Sequence, residues 1–243
     1  MPRPPATPRL LLSRFRVDPA RSGERVARLG FLGQGPVEVD LTSRLTFLVG
    51  ENGSGKTTLL EAIAARCAIR PGGGRSYGET EEREATAISQ GVDVAFAPRA
   101  RGLFLRADRF HDTMAHAGRL PMATTGEWRL ADELSRGEGV LSLLAARVDG
   151  SEAMLYLLDE PETGLSPQRQ MALLVLLDEL QKDGRSQAVV ATHSPILMSH
   201  PAADLLWIDN FGIERRTLRE IPHWRDMRRF MGDPESSIKR LLD

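Results

Sequence analysis

Lys56 is the next-to-last residue of a glycine-rich segment, Gly50–Thr57, with the sequence GENGSGKT. The only other lysines of the chain are Lys182 and Lys239. Glycines let the backbone curl so that its N–H groups point inward, and a following helix N-terminus adds partial positive charge. A flexible ammonium reaches the β- and γ-phosphates better than the planar fork of arginine. The segment therefore predicts a nucleotide-binding site, with a chance glycine turn before a helix as the alternative. The candidate phosphate-binding residues are Gly50, Asn52, Gly53, Ser54, Gly55, Lys56, Thr57 and Thr58.

Two adjacent carboxylates, Asp159 and Glu160, follow the apolar run MLYLL at 154–158. The carboxyl ends of strands in open α/β sheets are where ligands bind. We predict that Asp159 holds Mg²⁺ through water, together with the hydroxyl of Thr57. Glu160 is then the general base that polarises the attacking water. An ordinary strand end in solvent is the alternative for the pair.

Two further segments allow both a structural and a functional interpretation. Ser135, in LSRGE at 134–138, forms a capping box with Glu138, which any helix can use. The same hydroxyl and the free N–H groups of the helix start can bind the γ-phosphate of a nucleotide held by another subunit. His193, in VVATHSP, ends an apolar strand and so faces the phosphate crevice, although a lone histidine is more often structural.

Taken in order, the phosphate loop, LSRGE, DEPETGLSP and the histidine of VVATHSP resemble the ATP-binding cassette (ABC) ATPases. Other P-loop proteins share only the first motif and part of the acidic one. The resemblance extends from about residue 9 to residue 210. Within the family the chain is more similar to the SMC/RecF-type branch than to a transporter subunit, because SRFRV and DEPETGLSP resemble that branch's opening strand and acidic motif.

The resemblance implies that two copies of the chain sandwich two ATP molecules head to tail. The family's glutamine, a ligand of Mg²⁺ and water, is replaced by Asp108 in GLFLRADRF, and a carboxylate can also ligate the metal. Only residues 109–133 separate Asp108 from Leu134, which leaves no room for the coiled-coil arm of SMC proteins. Each site would combine Gly53, Gly55, Lys56, Thr57, Asp159, Glu160 and His193 of one copy with Ser135 and Gly137 of the other.

The elements that must position these residues alternate between strand and helix. A helical pattern follows the phosphate loop, and Ser166 with Pro167 begins another, in which Met171, Leu174, Val175 and Asp178 recur at helical spacing. The alternation predicts an α/β fold with a mostly parallel sheet flanked by helices. Short apolar runs predict buried parallel strands at 44–50, 153–160, 186–194 and 204–210.

The whole chain, 1–243, is predicted to be one ABC-type domain that consists of smaller parts. The segments RLLLSRFRV, VARLGFLG and PVEVDL are short, β-like and broken by Gly, and they predict an N-terminal antiparallel β flap. The predicted parts are a loose tail 1–9, a nucleotide-binding core 10–70 and 150–210, a mobile surface excursion 71–91, a helical signature part 109–149 and a basic helical segment 211–243.

Composition constrains the partners. The net charge of −1 gives no global argument for binding nucleic acid, so any basic surface must be local, as in the arginine-rich segment 211–243. A single cysteine and no apolar run of about 20 residues favour a cytoplasmic protein without membrane insertion. We expect the ATP cycle to act on DNA or another macromolecule. The alternative is an ABC transporter's nucleotide-binding subunit, in which Phe15 or Phe31 stacks on adenine, and a switch without turnover is a third hypothesis.

Overall fold

The computed structural model describes residues 10–69, 79–97, 100–106, 110, 119–121, 128–130, 134–148 and 153–242. The predicted tail 1–9, Asp108 and the part 71–78 of the predicted excursion lie outside these residues. Among the helices described, none has the length and apolar character needed to cross a bilayer.

Strands and helices alternate through most of the described chain. The strands are β1 Leu12–Val17, β2 Val37–Asp40, β3 Leu45–Gly50, β4 Val92–Phe96, β5 Arg101–Arg106, β6 Arg119–Pro121, β7 Trp128–Leu130, β8 Met154–Asp159, β9 Gln187–Ala191, β10 Asp204–Asp209 and β11 Gly212–Arg216. The helices are α1 Glu24–Ala27, α2 Lys56–Arg66, α3 Glu79–Ser89, α4 Arg136–Val148, α5 Pro167–Lys182, α6 Pro222–Gly232 and α7 Pro234–Leu242.

Six strands form the main sheet, in the order β11-β10-β3-β9-β8-β5. All neighbouring pairs are parallel except β10 and β11, so the predicted mostly parallel sheet is confirmed. The four predicted strands are present as β3, β8, β9 and β10. Strands β3, β9 and β8 are neighbours, with Leu48 opposite Ala191 and Ala191 opposite Asp159. Their carboxyl ends therefore lie side by side at one edge of the sheet.

Helices cover both faces of this sheet. Helix α2 packs on one face through Leu59, Leu60 and Ile63, and α4 and α5 pack on the other. Ser166 caps α5 by accepting a hydrogen bond from the N–H of Arg169 at 3.4 Å, with Pro167 at the first helical position as predicted.

The spacing predicted helix α5 but not its buried face: of the three apolar residues in the predicted pattern, Leu174 packs against the core and the other two do not. Met171 and Val175 are 51% and 57% exposed, whereas Leu173, Leu177 and Leu180 are buried in the core. Leucine is frequent on both sides of this helix, so local spacing alone did not separate the two faces.

The N-terminal antiparallel flap is a three-stranded sheet in the order β2-β1-β4. The side chain of Gln187 joins it to the main sheet: its oxygen accepts the N–H of Leu12 and its NH₂ donates to the Leu12 carbonyl, both at 2.8 Å. The prediction that the segment VARLGFLG is β-structure is wrong. The segment lies in α1 and in a 3₁₀ turn, Gly30–Leu32. Burial of Val26 and Phe31 against α2 and its neighbours favours these helical turns.

Two predicted segments contain helices. Residues 79–89 of the predicted excursion form α3, which lies against α2, and the mobility of that segment stays a prediction. In the basic segment, α6 and α7 follow β11. The core contacts of α6 come at its start, where Ile221 is buried and Trp224 is packed, whereas Met227 and Phe230 are 47% and 37% exposed.

Candidate active site

The phosphate loop connects β3 to α2 at the centre of the main sheet. Gly50 ends the strand so close to β10 that a Cβ would lie 2.3 Å from the carbonyl oxygen of Ile208. Gly55 is the N-cap of α2 with a φ of +95°, a backbone conformation that side chains disfavour. A Cβ there would also lie 2.6 Å from Leu29 Cδ2. These two positions therefore need glycine for packing and backbone reasons.

Lys56 is 5% exposed, and its ammonium group donates to the carbonyl oxygens of Gly50 at 2.9 Å and Glu51 at 2.8 Å. Ser54 Oγ lies 3.4 Å from the same nitrogen. Burial lowers the pKa of Lys56, while the carboxylates of Glu160 and Asp159 oppose that shift. Asn52 is exposed within the loop, and Thr58 lies half-buried in the first turn of α2.

Thr57 and Asp159 are in contact although 102 positions separate them. The Thr57 hydroxyl donates to Asp159 Oδ1 at 3.0 Å. A hydroxyl and a carboxylate beside a phosphate loop are the hard oxygen donors that Mg²⁺ prefers, and Mg²⁺ takes its other ligands from phosphates and water. Within the described residues there is no cluster of three His, Cys, Asp or Glu side chains that would hold a metal alone. The pair fits a magnesium ion that is shared with a nucleotide.

Glu160 has a φ of +46°, which is uncommon for a residue with a side chain. Its N–H donates to the carbonyl of Ala191 at 2.9 Å, which continues the pairing of β8 with β9 by one residue. Its Oε1 lies 3.5 Å from His193 Nε2, and Thr163 Oγ1 lies 3.5 Å from Oε2. Backbone strain of this kind is concentrated at functional sites. The carboxylate is thus held at the sheet edge with one side towards His193.

His193 follows β9 in a loop that Glu162 organises. One carboxylate oxygen of Glu162 accepts three hydrogen bonds: from Thr192 Oγ1 at 2.6 Å, the His193 N–H at 2.8 Å and the Ser194 N–H at 3.2 Å. Burial raises the pKa of Glu162, and burial together with the Lys56 ammonium lowers the pKa of His193. The sequence analysis did not identify Glu162. Its partners lie 30 to 32 positions away, so no local pattern marked it.

The start of α4 carries the predicted capping box. Ser135 Oγ lies 2.5 Å from Glu138 Oε2, and that oxygen also accepts the Ser135 N–H at 3.2 Å. The Glu138 carboxylate is 3.4 Å from Arg169 of α5. Gly137 is packed so closely that a Cβ would lie 2.7 Å from Leu165 Cδ2. Close packing against the loop after Glu160 is therefore one reason for glycine at 137.

The structure thus brings together Lys56, Thr57, Asp159, Glu160 and His193, and it does not bring Ser135 to them. Within the part of the chain that the structure describes, the hydrogen bonds of Ser135 stay in the first turn of its own helix.

Two other sequence predictions have different outcomes. Asp108 lies outside the described residues, so its role stays a prediction. Phe15 and Phe31 are 0% and 1% exposed in the core, so neither offers a ring face to adenine.

Two protein-family models match parts of this chain. The model of a family described as "AAA domain, putative AbiEii toxin, Type IV TA system" matches residues 123–199, and one described as "AAA domain" matches residues 29–91.

A curated relative, the thiamine import ATP-binding protein of Chelativorans sp., is 30% identical over 184 residues, 69% of this chain and 74% of that protein. An ABC-type transporter of Cochliobolus heterostrophus is 29% identical over 184 residues. The match covers 67% of this chain and 12% of that much longer protein.

Two solved structures show the likeness in fold. The dimeric structure of a bacterial ABC transporter cassette superposes with a TM-score of 0.50 and 16% identity, over 84% of this chain and 99% of that one. An SMC head bound to the C-terminal winged-helix domain of ScpA has a TM-score of 0.50 and 13% identity, over 84% of this chain and 97% of that one. At these identities the likeness shows the fold alone.

Proposed function

Because the chain belongs to the ABC family of P-loop ATPases, we propose that two copies bind ATP head to tail and that each hydrolyses one of two sandwiched nucleotides. The observation that carries this proposal is the meeting of Lys56, Thr57, Asp159, Glu160 and His193 at the carboxyl ends of β3, β8 and β9. These side chains supply charge, metal ligands and a base, the parts that phosphoryl transfer to water requires.

In the proposed ground state, the N–H groups at 53–58 and the dipole of α2 hold the phosphates. The Lys56 ammonium exchanges the carbonyls of Gly50 and Glu51 for the β- and γ-phosphate oxygens, which keeps its charge paired in a buried position. Thr57 and Asp159, which already touch, would hold Mg²⁺. The metal neutralises charge on the phosphate oxygens when it is bound. Asp108, two residues after the end of β5, is a proposed further ligand.

In the proposed chemical step, Glu160 accepts a proton from water. The water oxygen bonds to the γ-phosphorus as the bond from phosphorus to the β–γ bridging oxygen breaks, which releases phosphate and ADP. The lowered pKa of His193 favours the neutral imidazole. This ring, whose Nε2 lies 3.5 Å from Glu160 Oε1, orients the same water or a γ-phosphate oxygen. A neutral ring can donate one hydrogen bond and accept another, which suits a positioning role.

The second half of each proposed site comes from the other copy. Ser135 and the N–H groups of the α4 start would bind the γ-phosphate across the interface, with Gly137 allowing the close approach. A capped helix start is a suitable anion site because its unpaired N–H groups point outwards. The sandwich dimer is supported by family membership and by the fold likeness to a cassette that was solved as a dimer.

Two functions of the ATP cycle are compared, transport across a membrane and action on DNA. The comparisons favour transport. A relative of which the chain covers 74% is an import ATP-binding protein, whereas the SMC head is similar in fold only. We therefore propose a cytoplasmic ATPase subunit that works beside a separate membrane partner, and action on DNA becomes the alternative. Stimulation of turnover by added duplex DNA, lost at higher salt, would favour that alternative.

The shared site is tested by mixing two variants that are inactive for different reasons. Lys56→Ala removes the phosphate-binding charge, and Ser135→Glu places a negative charge against the partner's γ-phosphate. A mixed dimer keeps one intact site, so a 1:1 mixture should recover about a quarter of the wild-type rate if subunits exchange freely. ATPase rate per chain and mass in solution are measured together over a range of protein concentrations.

Two outcomes would contradict the shared site. One is a mixture that stays as inactive as its components while both variants fold and form mixed dimers. The other is wild-type turnover per chain that is independent of dilution while the mass remains that of a single chain. A single chain would then carry the whole reaction centre.

A further inference from the structure

Helix α6 begins against the candidate active site. Its N-cap, Ile221, is fully buried in the core, and Pro222 occupies the first helical position. Trp224 packs on the same core, and its indole N–H donates to Ser199 Oγ at 3.2 Å. Ser199 ends the short 3₁₀ turn that follows the loop of His193. The start of α6 is therefore fixed to the segment that carries His193.

His223, in the first turn of α6, reaches the phosphate loop. Its Nε2 lies 2.9 Å from Glu51 Oε1. Glu51 directly follows Gly50, and its carbonyl oxygen accepts the Lys56 ammonium at 2.8 Å. A residue 172 positions away thus holds the chain segment that also binds the phosphate-binding lysine.

The same imidazole lies beside His193. The centres of the two rings are 5.9 Å apart and the rings are tilted by 54°, a usual geometry for packed aromatic rings. On another side, the ring of Trp207 in β10 is 5.6 Å away. His223 therefore fills the space between the histidine loop, the phosphate loop and the main sheet.

Chemistry fixes how this ring is held. A carboxylate only accepts hydrogen bonds, so the Nε2 that faces Glu51 carries the proton. The other nitrogen, Nδ1, is buried and has no hydrogen-bond partner among the described residues. The Glu51 contact is thus the hydrogen bond that sets the orientation of the ring, and the neighbouring rings supply the rest of its packing.

We propose that His223 is a positioning residue, which holds the His193 ring and the Glu51 end of the phosphate loop in the arrangement that turnover needs. The inference rests on the proposed ATPase function and extends it, because it makes hydrolysis depend on the docking of α6. His223 itself does not touch the nucleotide in this scheme. It acts through His193 and through the loop that holds Lys56.

The test compares two substitutions at one position. Glutamine can place its NH₂ near the position of Nε2 and keep the hydrogen bond to Glu51, whereas leucine fills similar space without it. We expect His223→Leu to lower kcat about tenfold with KM for ATP little changed, because the lost hydrogen bond orients site residues and does not touch the nucleotide. His223→Gln should retain most of the activity. Arg225→Gln, at an exposed site on the same helix, is the matched control.

A second measurement does not depend on turnover. The chain has five histidines, so the ring proton signal of His193 can be assigned by substitution in nuclear magnetic resonance spectra. His223→Leu and Glu51→Leu, which each remove one partner of the hydrogen bond, should each shift that signal, and the double variant should shift it no further than either single one. His223→Gln should shift it less than His223→Leu does, because glutamine keeps the hydrogen bond to Glu51 although the neighbouring ring is lost.

The outcomes separate this inference from the proposed function. If the wild type hydrolyses ATP and His223→Leu matches it in kcat and in the His193 signal, the positioning role is wrong and the ATPase proposal stands. If glutamine is as damaging as leucine, the Glu51 hydrogen bond is not the cause and the inference also fails. If the wild type itself shows no turnover, the ATPase proposal fails, and an unshifted His193 signal in His223→Leu would separately overturn the contact.

Discussion

The phosphate-loop region and the start of α4 differ in how much of their chemistry one chain completes. Around the loop, Thr57 meets Asp159 at 3.0 Å and Glu160 faces His193 at 3.5 Å, so four residues from three motifs distant in sequence already touch. At the start of α4, the described contacts of Ser135 are with Glu138 of the same turn. The sheet brings the residues of the first region together, whereas the hydrogen-bonding groups of Ser135 in the second region are paired by a local cap.

This difference separates what folding achieves from what the proposed assembly would add. The sheet places three strand ends side by side, so no partner is needed to bring the candidate base, the candidate metal ligands and the lysine together. A local cap pairs only some of the N–H groups at a helix start, and the remaining N–H groups can donate to an anion from outside. The predictions that follow test whether the two regions act in one reaction.

The largest expected effect is at the assembled region. Glu160→Gln keeps the shape of the side chain and removes the base, so turnover should fall by about 10²- to 10⁴-fold. ATP binding should remain, and a long-lived ATP-bound dimer should accumulate, as seen by mass in solution. Glu179→Gln, exposed on α5, is the control for loss of a carboxylate. Hydrolysis by Glu160→Gln at the parental rate would remove Glu160 from the mechanism.

A smaller effect is expected at the start of α4, where two serines provide a matched pair. Ser135 and Ser166 both cap helices, so replacing either by alanine should cost about 1 kcal/mol of stability. Ser135→Ala should in addition lower kcat/KM roughly tenfold or more, because a donor to the transferring phosphoryl group is lost. Urea unfolding and ATPase rates are measured on both variants. Equal activity in the two would limit Ser135 to capping.

The smallest effect concerns the loop that joins Glu160 to His193. Burial raises the folded-state pKa of Glu162 above its ordinary value of 4.5, so the folded chain holds this proton more tightly than the unfolded chain. The resulting stability is present below the unfolded-state pKa and is lost as pH rises through the raised folded-state pKa. Glu162→Gln should lack this loss, so the stability of the wild type relative to the variant should fall as pH rises.

Denaturant unfolding of both proteins from about pH 4 to about pH 8 measures this difference directly. Charged groups other than Glu162 contribute equally to both proteins, so they cancel in the subtraction. If the free energy of unfolding of the wild type relative to Glu162→Gln stays constant or grows with pH, burial does not raise the pKa of Glu162.

Local patterns predicted the fold more completely than the site. The strands β3, β8, β9 and β10 are short, apolar and bounded by polar residues or glycine, so each could be identified alone. Segment 26–33 was wrongly assigned to β-structure because its helical turns depend on burying Val26 and Phe31. Glu162 was missed for a related reason. A glutamate in a loop has no distinctive spacing, and its partners Thr192 and Ser194 become neighbours only after β8 and β9 pair.

The sequence by itself determined the phosphate loop, the acidic strand end, the capping box and the alternation of strand and helix. Each of these is written in residues that are adjacent or a few positions apart, where spacing and backbone preference suffice. Only the tertiary structure decided that Thr57 touches Asp159, that Glu162 holds the loop of His193 and that His223 reaches Glu51. These contacts join residues 31 to 172 positions apart, and parallel strand pairing together with core burial brings them into contact.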